Sequence, residues 1–493
     1  MTTTNLKEKT VRGGLARVCS QAANFLLRAG SLVILARLLS PKDFGLVAMV
    51  TAVIGVLNLF KDFGLSTATV QRTSVTDEQI STLFWVNMLV GVILAIASVA
   101  VAPGVAAFYH EPRLVAPTVV LALGFLFNAA GVQHSALLQR QMRFTALAVI
   151  DIASLTISTA VGIGMALRGY RYWSLVGIAL LGPLVTTVCV WAAAAWVPGM
   201  PRQRVGLRSM MRFGGTVTLN GLVVYVAYNL DKVLLGRFWG AEILGIYGRA
   251  YQLINIPRDM LNSAVGVVAF SALSRVQDDP GRLKSYFLKG YSLVLALTLP
   301  FTILCALFAD DATLVLLGPK WTPAAPILRL LAPTILTFAM INPFGWLLYS
   351  TGLVGRSLRI ALVIAPLVIA GYLVGLPHGA KGVALGYSVS MTLWIIPHIL
   401  WCIRGTVISF RDIFQSLSRP LVSGITAAAL PCTMQVFYGH MWSPWLRLVL
   451  GITVFVGVYL GMLLYVMGQK AFYLNLLGGL RRSSVDHKAL ASA

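Results

Sequence analysis

The sequence predicts an all-α polytopic membrane protein, and three features of its 493 residues carry that prediction. Hydrophobic residues make up 58% of the chain, charged residues make up only 11%, and apolar runs of about twenty residues recur from end to end. A soluble domain has about a quarter of its residues charged, and a disordered chain is much poorer in apolar residues. The formal net charge of +23 does not indicate nucleic acid, because proteins that bind it carry their basic residues on a polar surface.

The apolar runs predict about 14 transmembrane helices of about 20 residues each. Those of the first lobe lie at 15–39, 43–60, 81–107, 114–138, 145–167 and 172–197. Those of the second lobe lie at 213–238, 242–270, 286–308, 324–350, 357–376 and 380–403, and a further pair lies at 419–438 and 445–467. We therefore expect two pseudo-symmetric six-helix bundles plus a C-terminal helix pair: an N-terminal lobe over 1–212, a second lobe over 213–405, and two additional helices with a cytoplasmic tail over 406–493.

The basic residues of the loops predict the orientation. About 24 of them fall on one side of the membrane and about seven on the other, so both termini are expected to be cytoplasmic. The first apolar run carries Arg17 and Arg28 and reaches no small-residue cleavage site, so it is expected to be a retained helix. The loop with Arg202, Arg204, Arg208 and Arg212 is expected to contact anionic membrane lipids.

No motif of the sequence indicates an enzyme. The connections between runs are too short for the extramembrane domain of a membrane glycosyltransferase, and no phosphate-binding GxxxxGK[ST] segment is present. The six histidines are scattered, and neither a catalytic triad nor a paired-carboxylate arrangement stands out. The five cysteines lie in apolar segments without CxxC spacing, so neither a disulfide nor a metal site is expected. No cofactor is expected either.

The chain repeats itself at corresponding places in the two lobes. ARLLSPKDFGL (36–46) and GRFWGAEILGI (236–246) match in register, and GYRYWSL (169–175) has a fainter counterpart in GAKGVAL (379–385). In 36–46, Ser40 to Asp43 also has the form of a capping box for the next helix. Internal repeats around a site at the bilayer midplane are a common plan of transporters.

The first helix carries a polar stripe. Arg17, Gln21, Asn24, Arg28 and Ser31 fall within an arc of about 80° when placed at 100° per residue. A charge at the bilayer centre costs several kcal/mol, so such a stripe should face either packed neighbours or a water-filled cavity. Two arginines on one face without an acidic partner on the same helix favour the cavity.

Three other helices carry polar stripes, which together predict an enclosed polar path. They are Asp151, Ser154, Ser158 and Gly162; Thr216, Asn220 and Asp231; and Gln252, Asn255, Asp259 and Asn262. Pro257, beside Arg258, favours a kink in the last of these helices. Asp231 is expected either to partner a buried arginine or to act locally at the outer interface.

Several segments resemble the polysaccharide-translocase family, of the colanic-acid and teichuronic-acid exporter type, within the multidrug/oligosaccharidyl-lipid/polysaccharide exporter superfamily. They are ARLLSPKDFGLVAM, KDFGLSTATVQR with STLFWVN, LLQRQMRF, NLDKVLLGRFWGAEILGIYGRAYQL and LGPKW (317–321). The resemblance covers roughly residues 10–420. It implies a flippase that moves undecaprenyl-pyrophosphate-linked repeat units across the bacterial inner membrane for exopolysaccharide, capsule or lipopolysaccharide assembly, by alternating access through a cationic central cavity.

An anionic pyrophosphate suits the fork-shaped donors of arginine. We expect Arg17, Arg28 and Arg249 to attract the headgroup and the polar residues of the stripes to bind the sugars, which gives the substrate-binding set Arg17, Gln21, Asn24, Arg28, Asn220, Arg249, Gln252, Asn255 and Asn262. The carboxylates Asp151, Asp231 and Asp259 are candidates for ion coupling or charge pairing.

Two other functions remain possible from the sequence alone. An ion-coupled exporter of drugs or small molecules in the same superfamily would need a cavity carboxylate, and a membrane-embedded polysaccharide polymerase is disfavoured by the short loops. Coupling to H+ or Na+ is undecided, as is transport driven by polymerisation outside. Expected partners are the lipid-linked oligosaccharide, anionic lipids, and a polysaccharide polymerase with its export machinery.

Overall fold

All regular structure in the described part of the chain is helical, as the sequence predicts. The computed structural model describes residues 21, 23–61, 69, 76–201, 207–438, 442–471 and 473. For 207–220 and for some other residues, among them Asp259 and Asn262, it describes the backbone alone.

Eight helices form the first part of the chain. They are α1 (23–38), α2 (Pro41–Asn58), α3 (Asp77–Tyr109), α4 (Val115–Arg140), α5 (Phe144–Leu167) and α6 (Trp173–Ala194), followed by α7 (207–239) and α8 (241–275) within the segment Leu207–Arg275. Gly240 separates α7 from α8 with φ 81° and ψ 178°, a backbone conformation open to glycine. The sequence-predicted break between 238 and 242 is confirmed.

Eight more helices follow. They are α9 (Pro280–Leu307), α10 (Ala309–Leu316), α11 (Ala324–Leu331), α12 (Pro333–Ser350), α13 (Val354–Gly375), α14 (Gly379–Ile403), α15 (Phe410–Tyr438) and α16 (Pro444–Gly461). Among the described residues, nine helical segments are long and apolar enough to cross a membrane. The fold class of an all-α polytopic membrane protein is therefore confirmed, and the number of about 14 spans stays a prediction.

The start of α2 follows from its local sequence. Ser40 accepts a hydrogen bond from the Asp43 N–H, and the Asp43 carboxylate accepts from the Ser40 N–H at 3.0 Å, so the sequence-predicted capping box is confirmed. Pro41 occupies the first turn, where its fixed φ suits a helix and its missing donor costs nothing. These contacts hold the first turn of α2 rigidly, which matters for the contacts of Gly45 described below.

The described residues form two compact units, and neither follows chain order. The N-terminal unit comprises the described residues up to 252 together with 361–387, and the C-terminal unit comprises 253–360 and the described residues from 388 onward. The division into lobes 1–212 and 213–405 with an additional 406–493 stays a prediction.

Two arginines cap helix ends at corresponding places of the two predicted lobes. In the N-terminal unit, Arg143 donates to the carbonyl of Ala193 at 2.7 Å, at the end of α6. In the C-terminal unit, Arg356 donates to carbonyls at the end of α14, with 2.7 Å to that of Arg404. A cation satisfies unpaired carbonyls and favours the negative end of a helix dipole. Residues that the sequence presents as loop charges therefore also clamp adjacent helices.

Asp412 ties the start of α15 to α9. Its carboxylate accepts from the Ser409 N–H at 2.8 Å and lies 2.7 Å from the Lys284 ammonium. Burial alone would raise the pKa of this carboxyl, but Lys284 and the donors of Ser409 outweigh burial and hold the pKa below its usual value.

We expect Asp412→Asn to lower the stability of the detergent-solubilised protein at neutral pH by about 1 kcal/mol, since a cap and an ion pair weaken together. The lowered pKa makes this stabilisation complete above about pH 4 and lost as the pH falls through the folded-state pKa. The difference in melting temperature between the two proteins should therefore shrink below pH 4. Exposed Asp278 supplies the control: Asp278→Asn should leave the melting temperature at neutral pH unchanged.

Candidate functional site

The described part of the stripe on α1 has accessible side chains. Gln21 and Arg28 are exposed and Asn24 is half-buried, whereas Arg17 lies outside the described residues. The Ser31 hydroxyl donates to the backbone carbonyl of Arg28 at 2.9 Å, so this bond does not involve the Arg28 side chain. The exposure of Gln21 and Arg28 is compatible with contact to a substrate.

Arg249 lies on the aromatic ring of Phe44 inside the N-terminal unit. Its guanidinium carbon is 4.1 Å from the ring centroid, a cation–π contact between α8 and α2. Such a contact contributes about 2 kcal/mol when it is shielded from water. Arg249 follows Gly245 by one helical turn and Phe44 directly precedes Gly45, so the close approach of the two glycines brings this pair together.

Arg249 remains incompletely satisfied. Its Nε is buried without a hydrogen-bond partner among the described residues, and no described carboxylate forms an ion pair with it. Gln252, three residues further along α8, likewise has a buried Oε1 without a partner in the described part of the chain. Buried charges in membrane helices are costly and are generally retained for function. An arginine in this state is suited to receive an anion.

Asp231 forms the second polar centre of the N-terminal unit. It is fully buried, and its two carboxylate oxygens accept from the Tyr247 hydroxyl at 2.7 Å and from the Lys232 N–H at 2.8 Å. The first of these bonds joins α7 to α8 on the two sides of Gly240. The sequence prediction that Asp231 partners a buried arginine stays a prediction, and the hydrogen bonds seen here come from a tyrosine and a backbone amide.

Lys232 bonds Asp231 through its backbone, whereas its side chain contacts other groups. Its ammonium donates to the Asn229 side chain at 2.7 Å and lies 5.2 Å from the centroid of the Tyr251 ring. The rings of Tyr247 and Tyr251 stack on each other with centroids 6.0 Å apart. Asp231 and Lys232 therefore contact the stacked rings of Tyr247 and Tyr251. The polar stripes of the sequence do not predict these aromatic partners.

The C-terminal unit holds Arg258, which the sequence marks only by the Pro257 beside it. Arg258 lies 4.3 Å from the centroid of the Phe338 ring and lines a small pocket with Thr298 and Asn342. Asn255, on the same helix one turn earlier, has a buried Oδ1 without a partner among the described residues. The signal that could have found Arg258 is its place in an apolar helix without an acidic neighbour on the same face.

The remaining candidates are placed less fully. The side chain of Asp151 is exposed, and it interacts with another group of the protein. The side chains of Asn220, Asp259 and Asn262 lie outside the described residues. Within the described part of the chain, no group of three His, Cys, Asp or Glu side chains could hold a metal ion.

Known proteins resemble this chain in sequence and fold. The family model for "Polysaccharide biosynthesis protein" matches residues 34–326. The lipopolysaccharide biosynthesis protein WzxC of Escherichia coli (strain K12) is 25% identical over 427 residues, covering 84% of this chain and 85% of WzxC. The succinoglycan biosynthesis transport protein ExoT of Rhizobium meliloti (strain 1021) is 26% identical over 330 residues, covering 67% of each chain.

Among solved structures, the lipid II flippase MurJ in its inward closed conformation superposes with a TM-score of 0.75. The superposition covers 95% of this chain and 100% of MurJ at 12% identity, so it shows a shared fold.

Proposed function

The chain belongs to the polysaccharide biosynthesis protein family, and from that membership we propose that it is a flippase for lipid-linked oligosaccharides. Its substrate would be an undecaprenyl-pyrophosphate-linked repeat unit, carried across the bacterial inner membrane by alternating access. The family resemblance predicted from the sequence is confirmed. The matched family description and the names of WzxC and ExoT, which refer to polysaccharide biosynthesis and transport, support the function.

The observation that carries the proposal is the half-buried Arg249, whose guanidinium Nε is buried. It rests on the Phe44 ring with its Nε unsatisfied and with no ion pair to a described carboxylate. A pyrophosphate offers several anionic oxygens, and a guanidinium binds them with charge-assisted hydrogen bonds that are about twice as strong as neutral ones. Arg249 would therefore be the anchor for the phosphates, and the Phe44 ring would hold its plane in place.

The other polar residues fit roles around this anchor. Arg28 and Arg17 on α1 would attract the headgroup, and Gln21, Asn24, Asn220, Gln252, Asn255 and Asn262 would bind sugar hydroxyls. Arg258 joins the set as a cation of the C-terminal unit. The polyprenyl chain would remain in the bilayer, because burying a charge-bearing headgroup in lipid is far more costly than leaving the tail there.

The chain is a multi-pass membrane protein, and we place it in the bacterial inner membrane with both termini cytoplasmic. The loop basic residues support this orientation. Its activity would be transport without covalent chemistry. Anionic lipids would contact the basic loops, and a polysaccharide polymerase with its export machinery would use the product on the outer leaflet.

We expect Arg28→Glu to abolish polymer export and Arg28→Ala to reduce it at least about tenfold, since a carboxylate repels the phosphates that the guanidinium attracts. The measurement is surface polysaccharide in a deletion strain complemented with each variant, with membrane levels of the protein determined in parallel. Arg113→Ala removes an exposed arginine paired with Glu111 and serves as the control. Full export by both Arg28 variants would contradict the role of Arg28.

The location of the accumulated intermediate separates the flippase from a polymerase. In a deletion strain, single lipid-linked repeat units should accumulate on the cytoplasmic leaflet, where an added glycosidase cannot reach them in intact spheroplasts. Accumulation on the outer leaflet would instead indicate a polymerase. Export of an apolar cationic dye without any effect on lipid-linked sugars would support the drug-exporter alternative.

A further inference from the structure

The starts of α2 and α8 contact each other backbone to backbone within the N-terminal unit. A Cβ atom added to Gly45 would overlap the carbonyl oxygen of Ala241, and one added to Gly245 would overlap the carbonyl oxygen of Pro41. The same Cβ on Gly245 would also lie 3.1 Å from the Gly45 nitrogen. No side chain fits between the helices at these two positions, so the helices touch through glycine Cα hydrogens and carbonyl oxygens.

The two contacts are equivalent by the internal repeat. Adding 200 to Gly45 and to Pro41 gives Gly245 and Ala241, so each contact becomes the other when the repeats 36–46 and 236–246 are exchanged. A reciprocal contact of this kind is what a two-fold relation between similar surfaces produces. The repeated glycines are thus explained by their meeting each other at this pseudo-symmetric point.

Close packing continues along α2 against α7; we call this run of contacts the seam. One turn further, a Cβ on Gly236 would lie 3.2 Å from Met49, and deeper still the Tyr225 hydroxyl donates to the carbonyl of Ala52 at 3.2 Å. Gly45, Met49 and Ala52 are all buried. The seam excludes any solute from the space between α2 and the pair α7 and α8 at this end.

Apart from the neighbouring cation–π contact of Arg249 with Phe44, which involves no opposite charge, close packing holds the glycine contact. The capping box of Ser40 and Asp43 is internal to α2, and among the described residues no ion pair joins α2 to α8. A contact made by Cα–H···O interactions and dispersion forms only at very short range and opens without leaving buried charges unpaired. These are suitable properties for a seal that opens and closes repeatedly.

We propose that the reciprocal contact of Gly45 and Gly245 is the outer seal of the transport pathway. It rests on the proposed function, because it assigns to that pathway the element that closes it on the side predicted to face outward. In the state seen here the seal is shut. Release of the substrate outward requires α2 and α8 to separate at these glycines. Because the capping box keeps the first turn of α2 rigid, the helices can separate and come together again without a change in that turn.

A cysteine one turn behind the seal reports its opening. A Cβ on Gly248 would meet nothing within 4 Å, so Gly248→Cys is a mild reporter. It is introduced into the full-length chain whose native cysteines are replaced by alanine, and labelled from the outside of intact spheroplasts with a membrane-impermeant maleimide. With the glycines intact, labelling should be at least about tenfold slower than at exposed Lys42→Cys, because the open state is a minor one.

Gly45→Ala and Gly245→Ala should each raise the labelling rate of Gly248→Cys at least about fivefold, since the added methyl group keeps the seal from closing. Gly104→Ala on α3, whose Cβ would meet nothing within 4 Å, is the matched control and should leave the rate unchanged. Unchanged labelling in both seal variants would overturn the proposal.

Two further outcomes keep the test decisive. If neither alanine variant reaches the membrane, the chain with intact glycines still decides: labelling of Gly248→Cys as fast as of Lys42→Cys overturns the seal, and slow labelling supports it. The labelling requires no lipid-linked sugar. Suppose that the labelling rate rises in the seal variants, but a strain that lacks this protein still exports polysaccharide normally. This result would refute the proposed function and leave the proposal of the seal intact.

Discussion

Replacing Arg249 with alanine is expected to abolish polysaccharide export while the protein remains inserted and as stable as before. The guanidinium lies on the Phe44 ring and makes no ion pair with a described carboxylate, so its removal leaves no opposite charge unpaired. The lost cation–π contact, about 2 kcal/mol, is offset by relief of the desolvation of a charge held in the membrane interior. Loss of activity without loss of stability is the signature of a residue retained for binding.

Arg249→Lys separates charge from shape. Lysine keeps the positive charge but has no planar fork, so it should retain export at a level reduced about tenfold. Arg282→Ala, which removes an exposed arginine paired with Asp279, supplies the control for loss of a cation elsewhere. Export would be measured as surface polymer, and stability as the melting temperature in detergent. A wild-type level of export by Arg249→Ala would refute the anchor role.

Substitution of Asp231 has the second large expected effect. Asp231→Asn keeps the size of the side chain and an oxygen for the Lys232 N–H, but removes the buried negative charge that Tyr247 contacts. We expect a folded protein whose flipping in proteoliposomes no longer responds to an imposed H+ or Na+ gradient, and whose export falls at least about tenfold. Tyr247→Phe keeps the charge and removes one hydrogen bond, so it should retain the gradient response.

The result for Asp231 also has a stability control. Asp231→Leu leaves the Tyr247 hydroxyl and the Lys232 N–H without acceptors and should destabilise the protein by about 2–4 kcal/mol, unlike Asp231→Asn. Asp310→Asn, at an exposed carboxylate, should change neither export nor gradient response. If the wild-type protein responds to neither gradient, or if Asp231→Asn responds as the wild type does, Asp231 has no role in coupling.

Local features of the fold could be predicted from the sequence because local chemistry determines them. The start of α2 follows from Ser40, Pro41 and Asp43, and the break before α8 coincides with Gly240, where a left-handed φ is required. The membrane class follows from composition. Each of these depends on residues within a few positions of one another, which is the range over which a sequence pattern is informative.

Contacts between helices could not be predicted in the same way. Periodicity places Arg249 and Asp231 on helix faces, but it does not say that Phe44 or Tyr247 lies opposite. Aromatic partners in a membrane helix are indistinguishable from lipid-facing residues by composition. For the same reason the sequence alone indicates no more than a loop charge at Arg143 and a kink beside Arg258, although Arg143 caps α6 and Arg258 lies on the Phe338 ring.

The break at Gly240, with α7 before it and α8 after it, has a consequence for how the chain enters the membrane during synthesis. Inserted alone, α7 would bring both Asp231 and Lys232 towards lipid, at a cost for each charge below the roughly 2.5–3.5 kcal/mol of a helix centre, since both lie in the last third of α7. The partners that relieve part of this cost, Tyr247 and Tyr251, are made only after the turn, on α8. The translocation machinery would therefore have to retain α7 until α8 emerges, and release the two helices into the bilayer as one folded unit.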